Sequence, residues 1–350
     1  MTRSRAYLGG LLAITTLLGV AVAPAVAQEV VMATWGGAWG KAFQESMIEP
    51  FEKATGVKVR VISGVSSTNL AAIIAQKDRP QVDVITMVQG DAIAAWQRGV
   101  TEALDVKDVP ALNDLTEAAV RRDKGQVIFA GMWTYPMGII YRTDKITWPL
   151  KAWADLWDPR LKNKVAVTSP KYSNSYFLAM INRLAGGTED NADPGFAKIK
   201  TLGANLLADV ADDVTPGRML AQGEIWAVPM LSGTAYKVIE QGVPAKFVIP
   251  EEGAPAGMDV IALVKGGPHP AEAKKFINYV IGQESLTKTC EILKLTPLNR
   301  KVTLSPETAR RVVAAEEMKR LVVLDDEAIN KNKAAWLERW SKEISPMTSR

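Results

Sequence analysis

Short apolar strands alternate with helices along most of the 350-residue chain, and this alternation constrains its fold more than any other feature. The segments EVVMATW at 29–35 and VKVRVI at 57–62 are typical of strands, and a helical segment separates them. The same order recurs downstream, through QVDVITM at 81–87 and KVAVTSP at 164–170. Repeated strand–helix–strand units form parallel sheets with right-handed crossovers. The sequence therefore predicts an α/β protein.

The first 27 residues are predicted to be a secretory signal peptide. Arg3 and Arg5 give a positive start, an apolar run covers 8–22, and Ala25-Val26-Ala27 is a small-residue cleavage site. An uncleaved membrane anchor is the alternative, since about 20 apolar residues can span a bilayer. Pro24 and the small residues favour cleavage after Ala27, which predicts an exported protein.

The mature chain is too long for one ordinary hydrophobic core. Roughly 320 residues follow the leader, and chains of this size usually divide into two domains. The composition, 47% hydrophobic and 23% charged, is that of a globular protein. The formal net charge is +4 and no basic run stands out, so no nucleic-acid partner is expected, and an anionic membrane is a weak candidate as well.

A single cysteine and a single histidine exclude several classes of functional site. Cys290 has no partner for an internal disulfide, and its surroundings are typical of a buried thiol. A Ser-His-Asp or Cys-His mechanism would need His269, which lies in a loop just before a helix. Neither a catalytic residue, nor a metal, nor a cofactor is therefore predicted, although a carboxylate site for Ca²⁺ stays open.

Polar and aromatic residues follow several predicted strands. In open α/β sheets, ligands bind at the carboxyl ends of strands, where loops and helix N-termini converge. Ser, Thr, Asn and Gly at such places also cap helices, so capping is the alternative for each of them. The candidate ligand-binding residues are Trp35, Gly36, Gly37, Trp39, Gln89, Asp91, Trp133, Tyr135, Tyr172, Ser173, Asn174, Ser232, Gly233 and Asp259.

Asp259 is the candidate with the most specific chemistry. It opens the apolar segment MDVIALV at 258–264, directly after a loop rich in Gly and Pro. It is either solvated at the strand start or it faces a cleft, where a desolvated carboxylate needs a cation. An indole beside such a site can hold an ammonium group by a cation–π contact worth about 0.5–2 kcal/mol.

A series of segments in the mature chain is similar, in sequence and in order, to one known family. They are ATWGGAWGKAF, PFEKATGVKV, KAWADLWDPRLKNKVAV, AVPMLSGTAYKVIEQG, VIPEEGAPAGMDVIALV, HPAEAKKFINYVIG and TPLNRKV. Together they resemble the periplasmic solute-binding proteins of ABC importers, in the branch of the spermidine/putrescine-binding proteins. The resemblance implies a monomeric periplasmic protein, without enzymatic activity, that delivers a small molecule to an inner-membrane permease.

The resemblance also implies a two-lobed (type II) periplasmic binding protein fold, in which each lobe is a mostly parallel sheet flanked by helices and the ligand cleft lies between the lobes. Lobe one would comprise 28–132 and 258–299, and lobe two 138–252 and 300–350. The chain would cross between them near 132–138 and 253–259. The last fifty residues are expected to be helical.

The resemblance assigns roles to two of the candidate residues. Trp35 matches an aromatic position that lines the polyamine site, and Asp259 matches the carboxylate that holds one ammonium group. After KVAVT the family has a second acidic cluster, where this chain has SPKYSNS at 169–175. Two ligand classes therefore stay open, a polyamine-like amine and a short zwitterion such as a γ-amino acid. In the zwitterion case Lys171, hydroxyls or helix N-termini would hold the anionic end.

Two other functions stay open beside transport. An exported enzyme could use the same two-lobed scaffold, since a fold does not dictate a function. A binding protein could also carry another organic solute to a membrane sensor rather than to a permease.

Overall fold

The structure, a computed structural model, describes residues 28–212 and 214–348. The predicted signal peptide and its cleavage site lie outside these residues. The strands are β1 (Glu29–Thr34), β2 (Lys58–Ser63), β3 (Val84–Val88), β4 (Thr101–Glu102), β5 (Val120–Asp123), β6 (Gln126–Arg142), β7 (Val165–Thr168), β8 (Leu206–Val210), β9 (Ala227–Leu231), β10 (Ala245–Val248), β11 (Ala254–Val264), β12 (Thr296–Pro297) and β13 (Leu321–Val322).

Helices follow most of these strands, and a π-helical segment, Gln44–Ile48, joins the first two helices. The α-helices are α1 (Gly37–Phe43), α2 (Glu49–Thr55), α3 (Ser66–Ala75), α4 (Gln89–Gln97), α5 (Tyr176–Leu184), α6 (Asp193–Lys200), α7 (Val214–Ala221), α8 (Ser232–Glu240), α9 (Pro270–Val280), α10 (Gln283–Leu293), α11 (Pro306–Ala309), α12 (Ala315–Met318) and α13 (Asp326–Glu343). The predicted α/β architecture is confirmed. None of the helices described here is long and apolar enough to cross a membrane.

Two antiparallel strands, β6 and β11, join two parallel groups of strands. The strand order is β2-β1-β3-β11-β6-β9-β7-β8. On one side β1 pairs in parallel with β2 and β3, and on the other β7 pairs in parallel with β8 and β9. The 17-residue strand β6 connects both groups, since its middle part pairs with β11, which itself pairs with β3, and its last part pairs with β9. Because parallel strands end at the same edge of their sheet, this arrangement directs the loops after β1, β3, β7 and β9 toward the joining strands.

Apolar side chains are buried on both sides of the joining strands. The core beside β1 and β3 includes Met32, Phe43, Phe51, Trp133 and Phe276, and Val302 and Leu304 pack against it. The core beside β7 and β9 includes Trp153, Phe177, Phe196, Trp336 and Trp340. The C-terminal helix α13 is therefore anchored in the second of these cores by its two tryptophans.

The C-terminal region is less helical than expected. Helices α11 and α12 have four residues each, and the chain is extended in β13, which pairs with β11. Val312 and Val313 are both buried, and the Val313 N–H donates to Thr296 Oγ1 at 3.1 Å. Burial of adjacent β-branched residues and hydrogen bonds to distant strands override the local helical preference here. The prediction of continuous helix is wrong between α11 and α12 and again between α12 and α13, and long helix begins only at Asp326.

Candidate functional site

Asp259 lies in β11 opposite Trp133 of β6. Its Oδ2 accepts a hydrogen bond from Trp133 Nε1 at 2.8 Å, and its Oδ1 accepts one from the Tyr135 hydroxyl at 3.0 Å. The register of the two strands shifts directly after Asp259, between Asp259 and Val260. Such irregularities re-aim a side chain. The carboxylate is consequently held between an indole N–H and a phenol, and only 5% of the residue is exposed.

The environment of Asp259 disfavours its ionised form. Burial raises the pKa of Asp259 and the hydrogen bonds from Trp133 and Tyr135 lower it, and the net pKa is about 6. Within residues 28–212 and 214–348, no lysine, arginine or histidine contributes to this balance. A buried carboxylate with neutral donors only is stabilised strongly by a cation that a ligand brings.

An aromatic cluster packs against Trp133, one of the two hydrogen-bond donors to Asp259. Trp39 stacks on Trp133 with ring centroids 6.0 Å apart and an interplanar angle of 29°. Trp35 lies 5.8 Å from Trp39, and Phe43 contacts all three indoles. Gly37, with φ of 62°, begins α1 in a left-handed conformation that costs glycine little. The WGGAW turn thus places Trp39 against Trp133, whose N–H donates to Asp259, and Trp35 against Trp39.

A second buried carboxylate, Asp326, lies at the start of α13. Its Oδ1 accepts a hydrogen bond from Asn174 Nδ2 at 2.7 Å, and its Oδ2 accepts one from Gln89 Nε2 at 3.0 Å. Only 4% of the residue is exposed. Burial raises the pKa of Asp326, the Asn174 hydrogen bond lowers it, the charge of Asp325 raises it and the charge of Arg121 lowers it, and the net pKa is about 6.

The charges of both carboxylates, Asp259 and Asp326, affect the pKa of Tyr176. It is the first residue of α5, it is buried, and its hydroxyl is hydrogen-bonded to Asp326. Burial raises the pKa of Tyr176 well above its usual value, and the charges of Asp326 and Asp259 raise it further. The pKa of Tyr135 is raised in the same way, by burial first and by Asp259 next. Both carboxylates therefore act on one pair of phenols.

The turn that carries Asn174 is strained. Ser173, Asn174 and Ser175 have φ of 44°, 50° and 61°, in the left-handed region. Non-glycine residues in that region cost roughly 1–3 kcal/mol each, and such strain concentrates at ligand sites. The Oγ of Ser173 is buried and has no hydrogen-bond partner among the described residues. The strain positions the Asn174 amide for its hydrogen bond to Asp326.

A cavity of about 850 Å³ adjoins this second carboxylate. Tyr176 and Asp326 line it, together with residues of the joining strands β6 and β11. Three exposed cations, Arg121, Arg122 and Lys319, line it as well. The cavity has the size of a small-molecule site, which commonly encloses about 300–1,000 Å³.

The structure brings some of the predicted site residues to the two carboxylates. Gln89 and Asn174 contact Asp326, whereas the Asp91 carboxylate accepts a hydrogen bond from Ser66 and thereby ties α4 to α3. Ser232 and Gly233 begin α8, and Tyr172 is half-buried ahead of the strained turn. Trp133 and Tyr135 contact Asp259, Trp39 stacks on Trp133, and Trp35 lies beside Trp39 at the turn that contains Gly36 and Gly37.

Asp326 is the residue that sequence reasoning missed. In the run LDDEAI it is one of two adjacent acidic residues at a helix start, where carboxylates are common as caps. The structure separates them. Asp325 is exposed and caps α13 by accepting from the Glu327 and Ala328 N–H groups, whereas Asp326 is buried. The sequence LDDEAI does not distinguish the two residues, because both are aspartates at a helix start.

The family described as bacterial extracellular solute-binding protein matches residues 46–318. The chain belongs to this family. A relative from Salmonella paratyphi A, named "Putative 2-aminoethylphosphonate-binding periplasmic protein", is 25% identical over 318 residues, which cover 87% of this chain and 90% of the relative. The "Spermidine/putrescine-binding periplasmic protein 1" of Haemophilus influenzae is 25% identical over 259 residues, 71% of each chain.

Solved structures of solute-binding proteins share the fold. The crystal structure of an ABC transporter protein from Clostridium perfringens superposes with a TM-score of 0.82 at 24% identity, and the match covers 90% of this chain and 99% of the other. The predicted resemblance to the binding proteins of ABC importers and the predicted two-lobed α/β fold are thus confirmed. The family consists of solute-binding proteins rather than enzymes.

Proposed function

We propose that this solute-binding protein captures a small amine-containing solute between its lobes and delivers it to the permease of an ABC importer. It acts as a monomer in the periplasm, after cleavage of its leader, and does not transform its ligand. The names of the Salmonella and Haemophilus relatives support this, because both are periplasmic proteins named for amine-containing solutes.

One observation carries the amine assignment. The Asp259 carboxylate is almost fully buried and is hydrogen-bonded by an indole and a phenol, both neutral donors. An ammonium group bound there would neutralise the charge that burial penalises, and the charge-assisted hydrogen bond would be stronger than either existing one. The stacked indoles of Trp39 and Trp133 supply apolar and cation–π contact beside it.

A zwitterion is the second candidate ligand. Arg121, Arg122 and Lys319 line the cavity near the carboxylates and could hold an anionic end. The Salmonella relative is named for 2-aminoethylphosphonate, an amine with such an end. In both cases the ammonium group of the ligand would bind to the Asp259 carboxylate.

The test is a thermal-shift and calorimetric screen of the protein from Gln28 onward. The screen contains diamines, polyamines, γ-aminobutyrate, 2-aminoethylphosphonate and common amino acids. A ligand at about 100 times its Kd adds about 2.7 kcal/mol to the free energy of unfolding, which shifts the melting temperature by several degrees.

Asp259→Asn should weaken binding of the best amine at least tenfold, because the substitution keeps the shape of the side chain and removes its charge. Asp91→Asn is the matched control, since the Asp91 carboxylate is already bonded to Ser66. Affinity unchanged in Asp259→Asn, or a preference for amine-free solutes, would contradict the proposal. Consumption of the ligand over hours, followed by NMR, would instead indicate an enzyme.

A further inference from the structure

The C-terminal helix α13 is fixed along its length to the part of the molecule that we assign to lobe two. Near its end, Trp340 Nε1 donates to Asp209 Oδ2 of β8 at 2.9 Å. In its first half, Asn332 Nδ2 donates to the Glu189 carbonyl oxygen, ahead of α6, at 2.9 Å. Its apolar side chains lie in the core beside β7 and β9. A movement of lobe two therefore carries α13 with it.

Helix α4 is fixed in the same way to the part that we assign to lobe one. Ala92 and Ala95 are buried in a core that includes side chains of β1 and β3. The Asp91 carboxylate accepts a hydrogen bond from Ser66 Oγ of α3. Gln89, the first residue of α4, is buried directly after β3. Its side chain consequently moves with lobe one.

The two helices meet at their N-terminal ends. Gln89 Nε2 donates a buried hydrogen bond to Asp326 Oδ2 at 3.0 Å. One turn further along α13, Asn330 lies so close to α4 that a Cβ on Gly90 would be 3.3 Å from its Nδ2. A glycine at this position permits the close approach of the helices. A buried hydrogen bond and a close packing contact thus link elements of the two lobes.

Lobe two holds the Asp326 carboxylate ready for this bond. Its Oδ1 accepts a hydrogen bond from Asn174 Nδ2 at 2.7 Å, and the Tyr176 hydroxyl is hydrogen-bonded to the carboxylate as well. These contacts leave Oδ2 facing Gln89. Hydrogen bonds to a charged acceptor are stronger than those between neutral groups, and burial strengthens them further.

We infer that Asp326 is a positioning residue whose hydrogen bond to Gln89 latches α13 to α4 and holds the lobes in the closed arrangement. The inference rests on the proposed function, in which the lobes close on a solute, but the latch does not depend on the chemical class of that solute. Apparent affinity scales with the fraction of molecules in the binding-competent state. The latch therefore raises the affinity for any solute that the closed protein retains.

The experiment exchanges the two ends of the hydrogen bond. Gln89→Glu places a second carboxylate against Asp326, which disfavours the contact, whereas a negative charge at the first residue of α4 suits the helix dipole. Adding Asp326→Asn to Gln89→Glu restores an amide–carboxylate pair with donor and acceptor exchanged, at the net charge of the wild type. Gln97→Glu, at the exposed last residue of the same helix, is the matched control.

Small-angle scattering from the ligand-free mature protein measures the latch without any solute. At pH 8.5, where both carboxylates ionise, Gln89→Glu should have a larger radius of gyration than the wild type. The double variant should return to the wild-type radius, and Gln97→Glu should not change it. Equal radii for the wild type and Gln89→Glu, or a double variant as expanded as Gln89→Glu, would overturn the inference.

Gly90→Leu tests the same contact without a change of charge, and it decides the matter if Gln89→Glu fails to fold. Leucine favours a helix more than glycine does, so α4 itself should form normally. Its side chain would separate α4 from Asn330. The ligand-free variant should therefore be expanded as well, and a wild-type radius would count against the latch.

Calorimetry at the same pH, with 1,4-diaminobutane and separately with 2-aminoethylphosphonate, measures the effect on binding. Gln89→Glu should weaken each solute that the wild type binds at least fivefold, and the double variant should restore the affinity. A loss that the double variant does not restore would indicate direct contact with the solute and overturn the latch. Wild-type binding of neither solute, with silence of the other amines in the screen, would overturn the proposed function, whereas scattering would still decide the latch.

Discussion

Two side chains, Asp259 and Asp326, dominate the chemistry at the scale of single residues. Each is buried with neutral donors only, and burial raises each pKa to about 6. Because the pKa of an unfolded aspartate is near 3.9, each ionised carboxylate costs the ligand-free protein about 3 kcal/mol at neutral pH. A cationic ligand offsets this cost, which couples binding to stability.

The pH dependence of affinity follows from the sign of these shifts. The folded pKa lies above the unfolded one, so the ligand-free protein loses stability as pH rises from about 4 through about 6. An ammonium ligand requires the ionised carboxylates, so its affinity should rise over the same range. Calorimetry should show amine affinity at least tenfold lower at pH 5 than at pH 7.5.

The matched control for this pH profile is Asp259→Asn. Its remaining affinity should depend less on pH, since one of the two titrating groups is gone. A wild-type affinity that is constant from pH 5 to 7.5 would show that neither carboxylate holds the ligand.

At the scale of elements, the turn between β7 and α5 is the most unusual part of the chain. Three successive left-handed residues, Ser173, Asn174 and Ser175, hold the Asn174 amide against Asp326. The SPKYSNS sequence identified this turn as a ligand-binding candidate, but it did not reveal the backbone conformation, because serine and asparagine are equally common in unstrained caps.

Ser173→Gly should stabilise the protein by about 1 kcal/mol relative to Ser173→Ala, because glycine adopts a φ of 44° without strain. The alanine variant is the matched control, since both substitutions remove the same unpaired hydroxyl. Urea unfolding of the two variants measures the difference. An alanine variant as stable as the glycine variant would show that the turn stores no strain at this position.

Sequence reasoning succeeded where a short pattern decides the structure. The strand–helix alternation of 29–99 predicted the parallel sheet, and the polar opening of MDVIALV identified Asp259 as a candidate that was either solvated at the strand start or facing a cleft. It failed where distant contacts decide. Thr296 bonds to Val313 and β11 pairs with β13, and these distant contacts hold the chain extended in the region before α13. No local pattern at 310–326 encodes those contacts.

At the scale of the whole molecule, we propose that the two segments near 132–138 and 253–259, where the chain passes between the lobes, form the hinge. Lobe one would comprise 28–132 and 258–299, and lobe two 138–252 and 300–350. A Cβ on Gly90 of α4 would lie 3.3 Å from Asn330 Nδ2 of α13, so elements assigned to the two lobes touch in the described conformation. Separation of the lobes would break the hydrogen bond from Gln89 Nε2 to Asp326 Oδ2.

We therefore expect the ligand to favour the compact form. Small-angle scattering from the mature protein should show a smaller radius of gyration after addition of saturating diamine. The same addition to Asp259→Asn at equal concentration should give a smaller decrease. An unchanged radius in the wild-type protein, at a concentration where calorimetry shows saturation, would contradict closure around the ligand.

The central claim is that the buried Asp259 carboxylate receives the ammonium group of an amine-containing solute. A crystal structure of the mature protein with the tightest-binding amine of the screen tests it most directly. The account predicts an ammonium group within hydrogen-bond distance of Asp259, beside Trp133 and Tyr135. A ligand bound elsewhere, or bound with Asp259 still holding only its present neutral donors, would contradict it.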